Sequence, residues 1–278
     1  MKTQQYRRIM GIVLFCLGIT MLLIFIYFPI IWMVTTSFKQ RAEAFKLPPD
    51  WIFTPTLENY VWVLTRSTLP RCYVNSMIAG FGSVLLASLI GIPAAYALAR
   101  FEMKRKEDIA FFILTARMGP AIGFMIPFFL MWKTLGMLDN IFALILTYLT
   151  FNIPITLWMM RGFFQAIPRD IEEAAMVDGC TRFQVFFKIV LPLVRTGMLA
   201  TFTLCLIFSW IEFPFALVLT YTSSVTLPVS VTQFITHQGI QWGQMTAAAV
   251  LISLPVIIFA IAAHKYIVRG LTFGIIKG

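Results

Sequence analysis

The chain has 278 residues and a formal charge of +10, with 59% of residues in the apolar set AVILMFWYC and 12% charged, against about 45–50% and 25% in ordinary soluble domains. A mean hydropathy of +0.85, with 27 Phe, 15 Met and 7 Trp, leaves too little polar surface to cover a soluble globule, which excludes a soluble enzyme. The basic residues cluster between apolar runs, so the positive balance points to a membrane surface and not to nucleic acid.

About 20 predominantly apolar residues in a helix cross the hydrocarbon core. Six such runs are bounded by charge, at 9–34, 73–99, 109–132, 138–160, 197–221 and 243–268. The expectation is an all-α membrane protein with six transmembrane helices and a single domain over 1–278. Lys2, Arg7 and Arg8 precede the first run as in a signal peptide, but the run is too long and no small-residue cleavage site follows. Lys and Arg fall fifteen on one side of the alternating connections and six on the other. The richer side holds both termini, which places them in the cytoplasm of a multi-pass protein.

Gly91 and Pro93, Pro120 and Pro127, Pro154, Pro214 and Pro255 interrupt the runs, as membrane helices tolerate where neighbours satisfy the freed carbonyls. Arg117 and Glu212 are formal charges well inside runs, away from their ends. At bilayer depth each needs a partner, water or protein around it. They either pair for packing, snorkel to an interface, or line a solute pathway. Asn152 and Trp210, with Asn75, are further pathway candidates, although membrane Asn also serves helix–helix hydrogen bonding. Cys16, Cys72, Cys180 and Cys205 show no paired spacing, and His237 and His264 lie far apart, so neither disulfide nor metal centre is expected.

The loop 161–196 is polar and reads as a helix–turn–helix. Pro168 suits a first helical turn, Gly179 a left-handed cap, and Thr181 with Gln184 a capping box before Pro192. Ile171, Ala174, Ala175 and Asp178 share a helical face, where the two alanines would admit a partner surface closely. The outer loop 223–242 has no charge but carries His237, Gln238 and Gln241. Such uncharged donors and acceptors suit a sugar-binding cleft. In the tail 269–278, Gly270, Gly274 and Gly278 predict an extended segment and not a continued helix.

Glu173-Ala174-Ala175, then Gly179, then Ile189, Leu191 and Pro192 resemble the E-A-A signature of ABC-importer inner-membrane permeases. The stretches Arg117-Met118-Gly119-Pro120, Phe151-Asn152-Ile153-Pro154 and Leu227-Pro228-Val229, with Trp242-Gly243-Gln244-Met245-Thr246 and the glycine-punctuated tail, are similar to the maltose-type sugar permeases, specifically the shorter partner of a heterodimeric pair. What the resemblance implies is a type I importer fold and import of a sugar-like solute by alternating access. It also implies a second homologous permease, an ATPase homodimer and an extracytoplasmic binding protein. Glu172, Glu173, Ala174, Ala175, Asp178 and Gly179 would dock on the ATPase. Leu271, Thr272, Gly274 and Lys277 would reach its dimer interface, and His237, Gln238 and Gln241 would enter the binding protein. Trp210-Ile211-Glu212 departs from the family, which commonly carries an amide near Ile211.

No G-x-x-x-x-G-K-[ST] loop is present in the sequence, so no cofactor is expected in this chain, and ATP with Mg would be held by the partner ATPase. The rival reading is a secondary transporter or channel using Arg117 and Glu212 as coupling groups. An intramembrane enzyme would need a nucleophile or metal motif such as G-x-S-x-G or H-E-x-x-H, and the sequence has neither.

Overall fold

The computed structural model describes residues 2–237 and 239–272. In chain order it contains α1 (Lys2–Ser37), α2 (Arg41–Ala44), α3 (Glu58–Arg66), α4 (Leu69–Arg100), α5 (Lys106–Met118), α6 (Ala121–Thr134), α7 (Ile141–Gln165) and α8 (Arg169–Val177). There follow α9 (Arg182–Val185), a π-helical turn (Phe186–Val190), α10 (Leu191–Leu193), α11 (Arg195–Trp210), α12 (Pro214–Leu219), α13 (Leu227–Ser230) and a 3₁₀ turn (Val231–Phe234). Two short strands, β1 (Ile235–Thr236) and β2 (Gly239–Ile240), precede α14 (Trp242–Thr272). Four helices, α1, α4, α7 and α14, are long and apolar enough to cross a membrane, or up to six segments if each of two bent pairs counts as one.

Against the expected six spans, four are single helices, and the number reaches six only where two bent pairs, α5 with α6 at 89° and Arg182–Leu193 with α11 at 74°, each count as one. The third run breaks at Gly119–Pro120, where both residues are extended and α5 meets α6 at 89°. Proline disfavours the helical region for the residue before it, and at Gly119 the chain leaves that region, so apolarity continues while direction changes. The fifth run stops at Trp210, and Phe213, held before Pro214, leaves the helical region. Pro29, Pro93, Pro154 and Pro255 sit inside unbroken helices. The fourth span begins at Ile141, capped by the Asn140 side chain on the Phe142 N–H at 2.9 Å, three residues later than the apolar run suggests.

The chain forms two compact units, residues 1–67 with 233–252, and residues 68–232 with 253–278. In the first, every residue from 10 to 31 is exposed. A helix apolar all round faces lipid or another chain. The second unit is built on α4, α7 and α11. The buried side of α4 carries Ala79, Ser83, Ala87, Gly91, Ala95 and Ala99 at four-residue intervals, a ridge of small residues that lets helices approach closely. A Cβ on Gly91 would stand 2.9 Å from Thr156 Cγ2 of α7, and one on Gly82 would stand 3.0 Å from Ile145 Cδ1. Towards the far end of α4 the core widens to include Leu98, Met160, Phe164, Ala175, Val185, Phe186 and Val190.

Candidate functional site

The loop between α7 and α11 folds as a helix–turn–helix. Gly179 has φ +89°, and its added Cβ would meet nothing within 4 Å. Glycine is therefore required there for backbone conformation alone. The Cys180 N–H closes the cap on the Ala175 carbonyl at 3.0 Å. The Thr181–Gln184 capping box forms in both directions, at 3.3 Å and 2.8 Å. The second helix is less regular than the spacing suggests, since a π-turn separates α9 from α10 and Pro192 lies inside α10.

The face of α8 read from the sequence needs correction. Glu172 and Ala175 point into the core, while Glu173, Ala174, Val177, Asp178 and Gly179 are exposed. Glu172 accepts from Arg100 Nε at 2.5 Å and from the Tyr96 hydroxyl at 2.8 Å, with both charged side chains buried. Arg100 also donates from Nη2 to the Ile167 carbonyl at 2.9 Å. Glu172 therefore fastens α8 to the end of α4 and offers nothing to a partner. Each ion-pair partner satisfies the charge of the other, which is what allows either to be buried. A second tie joins Arg161 at the end of α7 to Glu107 at the start of α5. On its outer side α8 exposes Asp170, Glu173, Ala174 and Val177, the last 87% exposed, and beyond the turn the exposed rings of Phe183 and Phe187 tilt against each other, 4.5 Å apart.

The polar groups of the apolar runs do not converge on one site. Asn152 is fully buried and donates to Ser83 Oγ at 3.1 Å and Ser209 Oγ at 2.9 Å, tying α7 to α4 and α11. Trp210 is a core side chain, edge-on to Tyr73 at 5.4 Å and Phe259 at 6.1 Å. Glu212 accepts from the Phe215 and Ala216 N–H groups at 2.8 and 3.1 Å, so it caps α12 where Pro214 breaks the span. Arg117 forms no ion pair among the described residues, and in particular none with Glu212; its guanidinium lies over Phe208 at 4.7 Å and Phe151 at 5.5 Å. Of the four, Arg117 alone lines the cavity of about 700 Å³ at the bend between α5 and α6, with Phe112, Phe124, Phe128, Phe151 and Thr150. Asn75 donates to the carbonyls of Ser223 and Val225, both at 2.9 Å.

Sequence reasoning missed Asp139. It sits before α7, outside the span, at φ +55°. Its carboxylate accepts backbone N–H groups of Tyr221, Thr222, Ser223 and Ser224 at 2.7–3.2 Å. Its carbonyl accepts both serine hydroxyls at 2.7 and 2.8 Å. Burial pushes the carboxyl up, but the N–H donors of Ser223, Ser224 and Tyr221 outweigh it and bring it down to about 2. The Gly136-to-Asn140 turn chemistry was the available signal.

In the outer loop, β1 and β2 form a hairpin pairing Ile235 with Ile240 and Thr236 with Gly239, and His237 is exposed at its turn. The Gln241 N–H donates to the Phe234 carbonyl at 3.0 Å, while Gln238 lies outside the described residues. The helix α14 continues through Gly270 and ends with Leu271 and Thr272, so the extended conformation expected from Gly270 onward does not begin there. A single glycine weakens a helix without stopping it. Gly274 and Lys277 lie outside the described residues.

Residues 75–273 match the family described as binding-protein-dependent transport system inner membrane component. The chain is 41% identical over 256 residues to the probable ABC transporter permease protein y4oR of Sinorhizobium fredii, covering 92% of each. It is 36% identical over 282 residues to the trehalose/maltose transport system permease protein MalG of Thermococcus litoralis, covering 100% of each. In structure it is similar to a chain from a bacterial ABC transporter involved in import of the acidic polysaccharide alginate, with TM-score 0.78, 26% identity, and 93% of this chain and 96% of that one covered. A helical membrane chain with a helix–turn–helix between α7 and α11 and this likeness over nearly its whole length belongs to the binding-protein-dependent ABC importer permeases, multi-pass inner-membrane subunits whose ATPase activity resides in a partner.

Proposed function

We propose that this chain is one half of the translocation path of a carbohydrate importer, a single permease domain paired with a second homologous permease and powered by an ATPase homodimer that holds Mg-ATP. The carrying observation is the docking loop. Gly179 sets a positive-φ turn, Glu172 clamps α8 from within, and an acidic and apolar stripe of Glu173, Ala174 and Val177 remains uncovered. The excess of Lys and Arg on that side supports a cytoplasmic loop. Relatives named for trehalose/maltose, diacetylchitobiose and sulfoquinovosyl glycerol transport support a sugar as cargo, and aromatic walls around Arg117 and Thr150 suit hydroxylated rings. The exposed His237 turn supports a role for the hairpin against the binding protein. The test is Ala174→Trp with Val177→Glu in the assembled complex. Both positions are exposed, so membrane insertion and permease pairing should survive while copurification of the ATPase falls at least tenfold. Unchanged copurification with unchanged ATPase stimulation by loaded binding protein would refute the docking assignment.

A further inference from the structure

Lys39, two residues beyond α1, is only 3% exposed. Its Nζ donates to the Asp50 carbonyl at 2.8 Å and lies over the rings of Trp32 and Phe53 at 5.2 and 5.1 Å. Among the described residues no carboxylate pairs with it. The Asp50 carboxylate is taken by Lys46 at 2.5 Å, and Glu43 accepts the Gln40 N–H at 3.2 Å. Cation–π contacts offset part of the cost of burying an ammonium, but they supply no counter-charge.

Lys39 lines a cavity of about 360 Å³ together with Trp32, Thr36, Glu43 and Trp242. Thr36 is 5% exposed and its Oγ1 has no hydrogen-bond partner. A buried ammonium without a paired carboxylate and a buried hydroxyl without a hydrogen-bond partner in one cavity together call for an anionic ligand that also carries hydrogen-bonding groups. A neutral sugar would leave the charge of Lys39 uncompensated.

The surroundings identify the source of the anion. Trp51 stacks edge-on to Trp32 at 5.5 Å and lies near Phe28 at 6.2 Å. Aromatic clusters at the end of an apolar helix mark the membrane–water interface. Beside them Leu47 is 88% and Ile52 96% exposed. A small soluble anion has no use for this apolar rim, whereas acyl chains would cover it and continue along the exposed face of α1. We propose that the cavity at the C-terminal end of α1 binds the headgroup of an anionic phospholipid, with the phosphate against Lys39 and a headgroup hydroxyl on Thr36.

Native mass spectrometry of the delipidated full importer complex tests this, with phosphatidylglycerol, phosphatidylcholine and glycerol phosphate added separately and in competition. The wild type should retain phosphatidylglycerol in preference to phosphatidylcholine, and glycerol phosphate should not displace it. Lys39→Met, which keeps the length of the side chain without its charge, should retain one phosphatidylglycerol fewer per complex. Lys39→Arg should retain it, and the isosteric Thr36→Val should weaken retention several-fold, so the proposal stands or falls even if Lys39→Met assembles poorly. Equal retention of the two lipids, or displacement by glycerol phosphate, would overturn it. So would loss of the second permease from Lys39→Met with lipid retention unchanged, which would assign the counter-charge to that subunit.

Discussion

Replacing Asp139 by Asn isolates the charge of the outer clamp, because Asn keeps one acceptor oxygen and tolerates the left-handed φ of +55°. The fall of the carboxyl from 3.8 to about 2 corresponds to roughly 2 kcal/mol of preference for the ionised form in the folded chain. The side chain is partly open to water, and screening reduces this to about 1 kcal/mol. Because the folded value lies below the unfolded one, the contribution is complete above the ordinary carboxylate range near about 4 and is lost as pH falls through about 2. Asp139→Asn should therefore lower the Tm of the detergent-solubilised complex by about 2–4 °C at neutral pH, measured at one scan rate since membrane complexes unfold irreversibly. Asp139→Ala should lose a further 1–2 kcal/mol or so from the backbone strain that Asn avoids, and more from the backbone N–H groups of Tyr221 to Ser224 left without their acceptor. The wild-type advantage over Asn should shrink below about pH 3. Equal Tm values for wild type and Asp139→Asn at neutral pH would refute the clamp as a charge-dependent device.

Glu172→Gln leaves Arg100 buried without its counter-charge, a change that costs roughly 3–5 kcal/mol in fully buried pairs; limited proteolysis should cut residues 161–196 faster in the variant, and an unchanged cleavage rate would count against the clamp. Gly91→Ala places a methyl 2.9 Å from Thr156 and should cost about 1–3 kcal/mol by overpacking, recovered when Thr156→Ala is added; absence of rescue in thermal unfolding would show that α4 and α7 adjust freely. Replacing residues 237–241 with a Gly-Ser linker should leave basal ATPase activity intact and lower binding-protein-dependent uptake, and wild-type uptake at saturating sugar and binding protein would make the hairpin structural.

What was legible in the sequence followed from local chemistry. The apolar runs, the Gly179 cap and the Thr181–Gln184 box each depend on residues within a turn of one another. The breaks at Gly119–Pro120 and Ile211–Pro214 were visible as prolines, but hydropathy carries no direction, so a run that turns through 89° reads the same as a straight one. The role of Glu172 was not legible, because its partner Arg100 is 72 residues away. An acidic residue on an amphipathic helix looks equally suited to solvent, to a partner or to a buried cation.

The small-residue ridge on α4 shows how the remaining information was present but unread. Positions 79, 83, 87, 91, 95 and 99 are all Ala, Ser or Gly, a four-residue period that hydrophobicity scales register only as weakly apolar. In lipid, apolar side chains gain little by leaving one hydrocarbon for another, so helices associate where backbones can come close and where polar groups find partners. Both requirements meet on this ridge. Gly91 admits Thr156, and Ser83 receives the amide of Asn152, which also reaches Ser209. Asn152, read from sequence as a pathway candidate, thus belongs to the packing of α4, α7 and α11. The helix that bears this ridge also carries Tyr96 and Arg100 in its last turns, which hold Glu172 of α8. A displacement imposed on α8 from the cytoplasm would therefore reach α4 through a buried ion pair and α7 through close-packed backbone, with no flexible connection between them.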